Sequence, residues 1–334
     1  MHRRTRRTIW ILAAVLLLLT VAIYLRSKAP PEAARLLPES DGIVYINLKP
    51  VRSFMRKNLK PPRRDPDYQQ FVDDTGFDPE RDLDQVAIAL HRMSDPEGPN
   101  GPVAYSMVLV GNLTSQHLNT WLEAHAASRE SYAGHTIYSI PSENRTVRVA
   151  QIGYDMLAVS NTPTAEQIHS MLDRHRTAAL PFSGSTLLAE HYSEMPILSV
   201  AWGMGQIGLP FTENGNISVL GMELPLAANT TFLASVHWAG ALKLRVVEIA
   251  NDEATATSQA ASLNLLLNLA RGATAGLSAN TANNGLKEVL KTAEITPHRN
   301  RVVVNATLPQ NLPVELLNGA TGSSNSEDSN NGTK

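Results

Sequence analysis

The stretch SVAWGMGQIGLPF, Ser199 to Phe211, decides between two folds. Its glycines Gly203, Gly205 and Gly208 make a G-x-G-x-x-G directly after an apolar run, Ile197 to Trp202. A dinucleotide-binding turn would place this chain among doubly wound parallel sheets. Such a turn needs a helix opening inside the motif, because the amide groups and dipole of that first turn hold the pyrophosphate. Here Gly208 is followed by Leu209-Pro210-Phe211 and then the polar turn Thr212 to Asn216, with no amphipathic pattern for two dozen residues. Three glycines without that helix are a weak signal. The spacing predicts a strand ending near Trp202 in a glycine-kinked loop, with no nucleotide and no cofactor.

Outward from this stretch, strand-like runs recur: Ile43–Leu48, Val86–Leu90, Tyr105–Gly111, Thr136–Ile140, Val147–Ile152, Met156–Ser160, Phe232–Trp238, Leu242–Ile249 and Val302–Thr307. Tight turns such as Trp238-Ala239-Gly240 make the pairing mainly antiparallel. Helices are interspersed. Ser115 precedes Leu118, Trp121 and Leu122 on one apolar face, and Thr164 with Gln167 reads as a capping box ahead of Ile168, Met171 and Leu172. The longest candidate runs from Glu253 to Arg271, between an Asp252 cap and Gly272. VLVGNLTSQHLNTWL, LAVSNTPTAEQIHSML and VVVNATLPQNLPVELL repeat one pattern, a β-branched strand turning through Asn/Thr into a helix. The expected fold is α+β, with helices on one face of mainly antiparallel sheets and two similar units, 39–180 and 181–317. Residues 318–334 are polar, small and predicted to be disordered.

The amino terminus places the chain. Thr8 to Tyr24 is a run of 17 residues without charge. As a helix it spans roughly 26 Å, close to a hydrocarbon core of ~30 Å. Arg3, Arg4, Arg6 and Arg7 precede the run, whereas Arg26 and Lys28 follow it. The positive-inside rule keeps the amino terminus in the cytoplasm and sends the remainder across an inner membrane as a periplasmic ectodomain. Cleavage is disfavoured, since Ser27-Lys28-Ala29 is followed by Pro30 and Pro31. Residues 1–28 are therefore expected to be an uncleaved signal anchor, and 29–38 a Pro/Ala-rich stem. The chain has no cysteine, so a disulfide framework is excluded. A formal net charge of −2 argues against nucleic acid as a partner.

Candidate chemistry is sparse. The acidic stretch with Asp73, Asp74, Asp78, Glu80, Asp82 and Asp84 lacks the glycine and bidentate glutamate of a calcium loop. Gly76 as a turn, Asp78 as a cap and Pro79 as first helical position account for it better. Before it lie seven basic residues without an acid: Lys49, Arg52, Arg56, Lys57, Lys60, Arg63 and Arg64. Val51, Phe54, Met55 and Leu59 could form an apolar stripe beneath them, a surface for anionic lipid or a partner. The reading preferred for such a charge run is that they fold against the acidic stretch that follows. His169 and Asp173 share a helix face without the paired-histidine spacing of a metal site. ISVLGMELPL, Ile217 to Leu226, reads as an apolar hairpin-like loop. Neither G-x-S-x-G nor a Walker loop occurs, and no metal or cofactor is implied.

Two segments, LLPESDGIVYINLKPVR (Leu36 to Arg52) and TGFDPERDLDQVAIAL (Thr75 to Leu90), resemble the opening of a group of uncharacterised bacterial, membrane-anchored extracytoplasmic proteins. The resemblance implies an envelope location and brings no catalytic residues. The expected function is that of a non-enzymatic envelope protein binding a protein or cell-wall partner. The alternative is an envelope hydrolase whose site assembles only in three dimensions.

Overall fold

The computed structural model describes residue 12 and residues 15–20, 29–58, 66–98, 101–113, 116–177, 184–196, 199–206, 218–219, 222–223, 230–275 and 281–309. Twelve of its strands form one antiparallel sheet. In chain order these are β1 (Gly42–Asn47), β2 (Leu83–Arg92), β3 (Val103–Gly111), β4 (Ser128–Tyr132), β5 (His135–Ser142), β6 (Arg145–Ile152), β7 (Met156–Ser160) and β8 (Ser199–Gln206). A separate hairpin of two-residue strands follows, β9 (Ser218–Val219) and β10 (Met222–Glu223). Then come β11 (Thr231–Trp238), β12 (Leu242–Ile249), β13 (Glu294–His298) and β14 (Arg301–Leu308). Across the sheet the order is β13-β14-β12-β11-β8-β1-β2-β3-β7-β6-β5-β4.

That order contains an internal two-fold relation. β1-β2-β3 and β8-β11-β12 each run outward from the centre as a meander. In each half the chain then leaves through a helix, and its last strand returns to pair with the third: β7 with β3, β14 with β12. The halves meet where β1 and β8 pair antiparallel, Gly42 opposite Gly205 and Val44 opposite Gly203. The sheet is therefore continuous through both halves.

The helices are α1 (Glu32–Arg35), α2 (Leu48–Asn58), α3 (Pro66–Thr75), α4 (Pro79–Asp82), α5 (Gln116–His125), α6 (Glu166–Arg176), α7 (Thr186–His191), α8 (Glu253–Ala275) and α9 (Thr281–Thr292). They cover both faces of the sheet, not one as the sequence pattern suggested. On the front face, α1, α6 and α7 enclose Ile43, Tyr45, Ala87, Ala89, Val108, Ala158, Trp202 and Met204. Ala33 and Ala34 of α1 are fully buried in this core with Leu36 and Leu37, so 29–38 is built into the folded body rather than standing off it as a stem. Small alanines on both sides let the helix backbone approach the strands closely. On the back face, α2, α3 and α5 cover a second core of Phe71, Phe77, Val86, Leu109, Leu118, Leu122 and Val159. A third cluster lies at the far edge, where α8 packs Ala256, Ala260 and Leu263 over Val302 and Ile295. Strand alternation produces this two-sided arrangement, since successive side chains serve opposite faces.

Local signals fare unevenly. Asp78 caps α4 by accepting from the Glu80 amide at 3.1 Å, with Pro79 at the first position. Gly76 turns with φ 66° and Gly240 with φ 73°, as glycine alone does freely. Asp252 accepts from the Thr255 amide at 2.7 Å and caps α8, which continues past Gly272 to Ala275. The expected capping box at Thr164 does not form: α6 begins after Ala165 without a side-chain cap. Its register is fixed instead by Ile168, Met171 and Leu172, all fully buried.

Candidate functional site

β8 does not end at Trp202. It runs on through Gly203 and Gly205 to Gln206, paired with β1 on one side and β11 on the other. The two described glycines of the G-x-G-x-x-G are thus sheet residues, and Gly208 lies outside the described residues. Each has a separate physical role. A Cβ on Gly205 would come within 2.8 Å of both the Asp41 carbonyl oxygen and the Gly42 Cα. Glycine there allows the two central strands their close approach. A Cβ on Gly203 would meet nothing nearer than 3.5 Å. Glycine there leaves room.

That room is the floor of a trough on the back face. Gly203 lies level with Val44, Ala234 and Val246 on the neighbouring strands. One step toward the α2 end, Ala201 lies level with Ile46, Val236 and Leu244. These side chains are half-buried and apolar, and with Phe232 and Leu90 they line a cavity of about 440 Å³. Its size is that of small-molecule sites, which are predominantly apolar concavities. On one side stand α2, α3 and α5 over the first half of the sheet; on the other, α8 and α9 over β13 and β14. The trough is the valley between two helical walls.

At the α2 end sits a charged group. Lys49 Nζ lies 3.0 Å and Arg52 Nη1 3.3 Å from the two oxygens of Asp84, and Arg52 Nε donates to the Glu80 carbonyl at 3.1 Å. The first basic residues of the run do fold against the acidic stretch. Both cations meet the Asp84 carboxylate, Arg52 also acts on the nearby Asp82, and the buried Arg52 Nη2 makes no hydrogen bond. Arg56 and Lys57 lie on α2, of which Phe54 to Asn58 are described only as helical backbone; Lys60, Arg63 and Arg64 lie outside the described residues. The remaining acids serve structure. Asp82 accepts both guanidinium contacts of Arg81, at 2.8 and 2.7 Å, and the Asp78 amide at 2.9 Å. The Arg81 bonds hold its carboxyl below the usual range against the opposing pull of burial.

His169 and Asp173 are recruited to packing. The His169 ring stacks on Tyr132 at 3.8 Å with Nε2 2.9 Å from a Glu130 oxygen, and Tyr132 donates to Asp173 at 2.8 Å. Together they fasten α6 to the edge strand β4. Among the described residues no three His, Cys, Asp or Glu side chains are grouped to hold a metal.

One pairing bears on hydrolysis, and no motif signalled it. His91 Nε2 lies 2.9 Å from Ser106 Oγ, which lies 3.2 Å from Ser160 Oγ, itself 2.8 Å from Thr162 Oγ1. All four residues are buried. The proton count runs one way. Thr162 gives its hydroxyl proton to the Thr164 carbonyl, so it accepts from Ser160; Ser160 then accepts from Ser106, and Ser106 from His91. His91 therefore presents Nε2–H to the serine. A nucleophilic serine needs the reverse, an unprotonated nitrogen receiving its proton. The ladder ties β2, β3 and β7 together on the front face. Burial pushes the His91 pKa down, partly offset by Asp41.

The anchor flanks Arg3, Arg4, Arg6, Arg7, Arg26 and Lys28 all lie outside the described residues. Residue 12 and residues 15–20 are helical, with Leu12 and Val15 to Leu19 exposed, and Thr20 satisfies its hydroxyl on the Leu16 carbonyl at 2.8 Å. Among the described residues no helix is long and apolar enough to cross a membrane.

No family model matches the chain, and no curated protein does. Among solved structures, crystal form III of TP0453 overlays with a TM-score of 0.47 at 10% identity, over 87% of this chain and 99% of that one. Crystal form I overlays at 0.42 and 11% identity, over 87% and 98%. Crystal form IV does so at 0.42 and 12%, over 85% and 95%. At such identity and overlap, no property of TP0453 transfers to this chain.

Proposed function

We propose that this chain is a membrane-tethered binding protein of a bacterial envelope, non-enzymatic, with its sheet held on the extracytoplasmic side of the inner membrane. The observation that carries the binding role is the solvent-accessible apolar trough at the seam of the two halves. Apolar sheet surface of this extent is normally covered, and where it is left accessible it marks a place for a ligand or partner. The tether rests on the uncharged run Thr8 to Tyr24 with its four preceding arginines. The exposed leucines of residues 15–20 support it, since in water they have nothing to pack on. The same charges support an amino terminus inside, and Pro30 and Pro31 after Ser27-Lys28-Ala29 support retention of the anchor.

Two measurements test this. A reporter fused after Lys334 is expected to be active only outside the cytoplasm; activity inside would overturn the placement. A photo-crosslinking residue at Ala234, on the trough floor, is expected to capture a bound molecule or envelope protein in native membranes. Crosslinks no more abundant than from the exposed Tyr154 would overturn the binding role.

The His91–Ser106 pair is the one observation favouring a hydrolase. Its proton polarity and the complete burial of Ser106 argue against it. A serine-directed fluorophosphonate is expected to leave Ser106 unlabelled in the native protein, and labelling abolished by His91→Ala would reverse that judgement.

A further inference from the structure

We infer that the trough is a receptor for the alkyl chain of a long-chain fatty acid, with the carboxylate set toward Lys49 and Arg52. This rests on the binding reading above and names its ligand class. The lining selects first. Val44, Ile46, Ala201, Ala234, Val236 and Val246 offer methyl and methylene groups, and the intervening Gly203 offers backbone without a side chain. Apart from Ser235 and Gln206, a surface of that kind has little with which to orient a polar ligand by hydrogen bonds. It suits an unbranched hydrocarbon, which needs contact and exclusion of water alone.

Size selects next. A methylene needs about the room of one water molecule, roughly 30 Å³. The cavity of about 440 Å³ then matches one chain of on the order of fifteen carbons rather than the paired chains of a phospholipid.

Charge sets the direction. Ile46 of the trough is level with Val86 across β2, and Asp84 lies two residues before Val86. α2 starts directly after β1, so Lys49 and Arg52 stand at this end of the valley, both paired with Asp84. Arg52 keeps a guanidinium nitrogen without a hydrogen bond, and Lys49 is mostly exposed. A ligand carboxylate at this end finds the exposed Lys49 ammonium beside the Arg52 guanidinium, the kind of pair that favours a carboxylate acceptor.

The test uses the full chain in native membrane vesicles and a photoreactive palmitic acid with a diazirine near the methyl end. Saturable labelling is expected, mapping to Val44, Ala234, Val236 or Val246. Gly203→Leu fills the floor, its Cβ in no more than ordinary contact with the Ile43 carbonyl oxygen at 3.5 Å, and is expected to cut labelling about tenfold while the melting temperature holds. Lys49→Gln is expected to weaken labelling severalfold for the acid and leave it unchanged for the matching alcohol probe. Labelling that Gly203→Leu does not reduce would overturn the inference, as would equal labelling by acid and alcohol in the unsubstituted chain. Two other results would do the same: crosslinks from Ala234 to the chain's own Ser218–Glu223 hairpin, or to phospholipid. Capture of an envelope protein at Ala234 in place of the fatty acid would remove the ligand class while leaving the binding role standing.

Discussion

The two halves of the sheet share one wiring and differ in what lies over their back faces. In the first half, the connection from β1 to β2 builds α2, α3 and α4, and these cover the strands with an aromatic core in which Phe71 meets Phe77 edge-on at 6.4 Å and Trp121 at 5.6 Å. In the second half, the equivalent connection from β8 to β11 contributes, among its described residues, only the short β9–β10 hairpin. The strands below are correspondingly lighter: Gly203 answers to Val44, Gly205 to Ile46 and Ala234 to Ile88 of the first half. Among the described residues, coverage thus follows the connections.

The largest expected effect contrasts the two back faces directly. Leu122→Ala, on the buried face of α5, is expected to cost about 3 kcal/mol, since a fully packed side chain leaves a cavity. Val236→Ala, in the trough, is expected to cost about 1 kcal/mol or less, because solvent already reaches it. Equal losses in denaturant titrations would erase the difference between the halves.

The glycines sharpen the same contrast within one strand. Gly205→Ala forces a Cβ against backbone at 2.8 Å and is expected to destabilise by about 1–3 kcal/mol. Gly203→Ala is expected to lie within about 0.5 kcal/mol of the parent. Reversal of that order would mean that the trough floor, not the strand approach, is the tight place.

Acid acts on the front face. His91 titrates below its ordinary value because it is buried, so the unfolded chain binds the proton more readily. Stability from this group is complete above the ordinary histidine range and is lost as pH falls through it toward the lowered folded value. His237 shifts the same way, through burial and the nearby Arg245 and Lys243. A midpoint for urea unfolding that falls between pH 7 and 5, with a shallower fall in His91→Gln, is the expected result. An unchanged slope in that variant would remove His91 from the account.

The smallest effect belongs to the surface charges. Asp84→Asn is expected to change stability by less than about 1 kcal/mol, since Lys49 is mostly exposed and Arg52 and Asp84 are only partly buried.

Much of this architecture was legible in the sequence. The inner strands announced themselves as β-branched runs, and the antiparallel α+β class followed from them. The two strands that went unseen, SRESY and EITPH, are the two edges. Edge strands bury little, so they show no apolar period, and charges together with Pro297 guard them against further pairing. Helices on both faces were hidden for a related reason: continuous apolar runs such as VAIAL and LAVS do not say which side each residue serves. The trough was illegible because no single segment contains it. Its floor comes from four strands, and Gly203 acquires meaning only when β8 lies beside β1. The glycine motif did mark the place, through a chemistry unrelated to the one it suggests.

The seam between β1 and β8 also governs assembly. The earliest strand of the body has its central neighbour near residue 200, so the middle of the sheet closes only after most of the chain has been delivered, the slow kind of topology. Until then two incomplete half-sheets each present a raw edge, Gly42–Ile46 on one and Ala201–Gly205 on the other, and each is a template for the wrong molecule. Folding of this chain at high concentration should therefore be limited by mispairing at its centre rather than at its guarded rims.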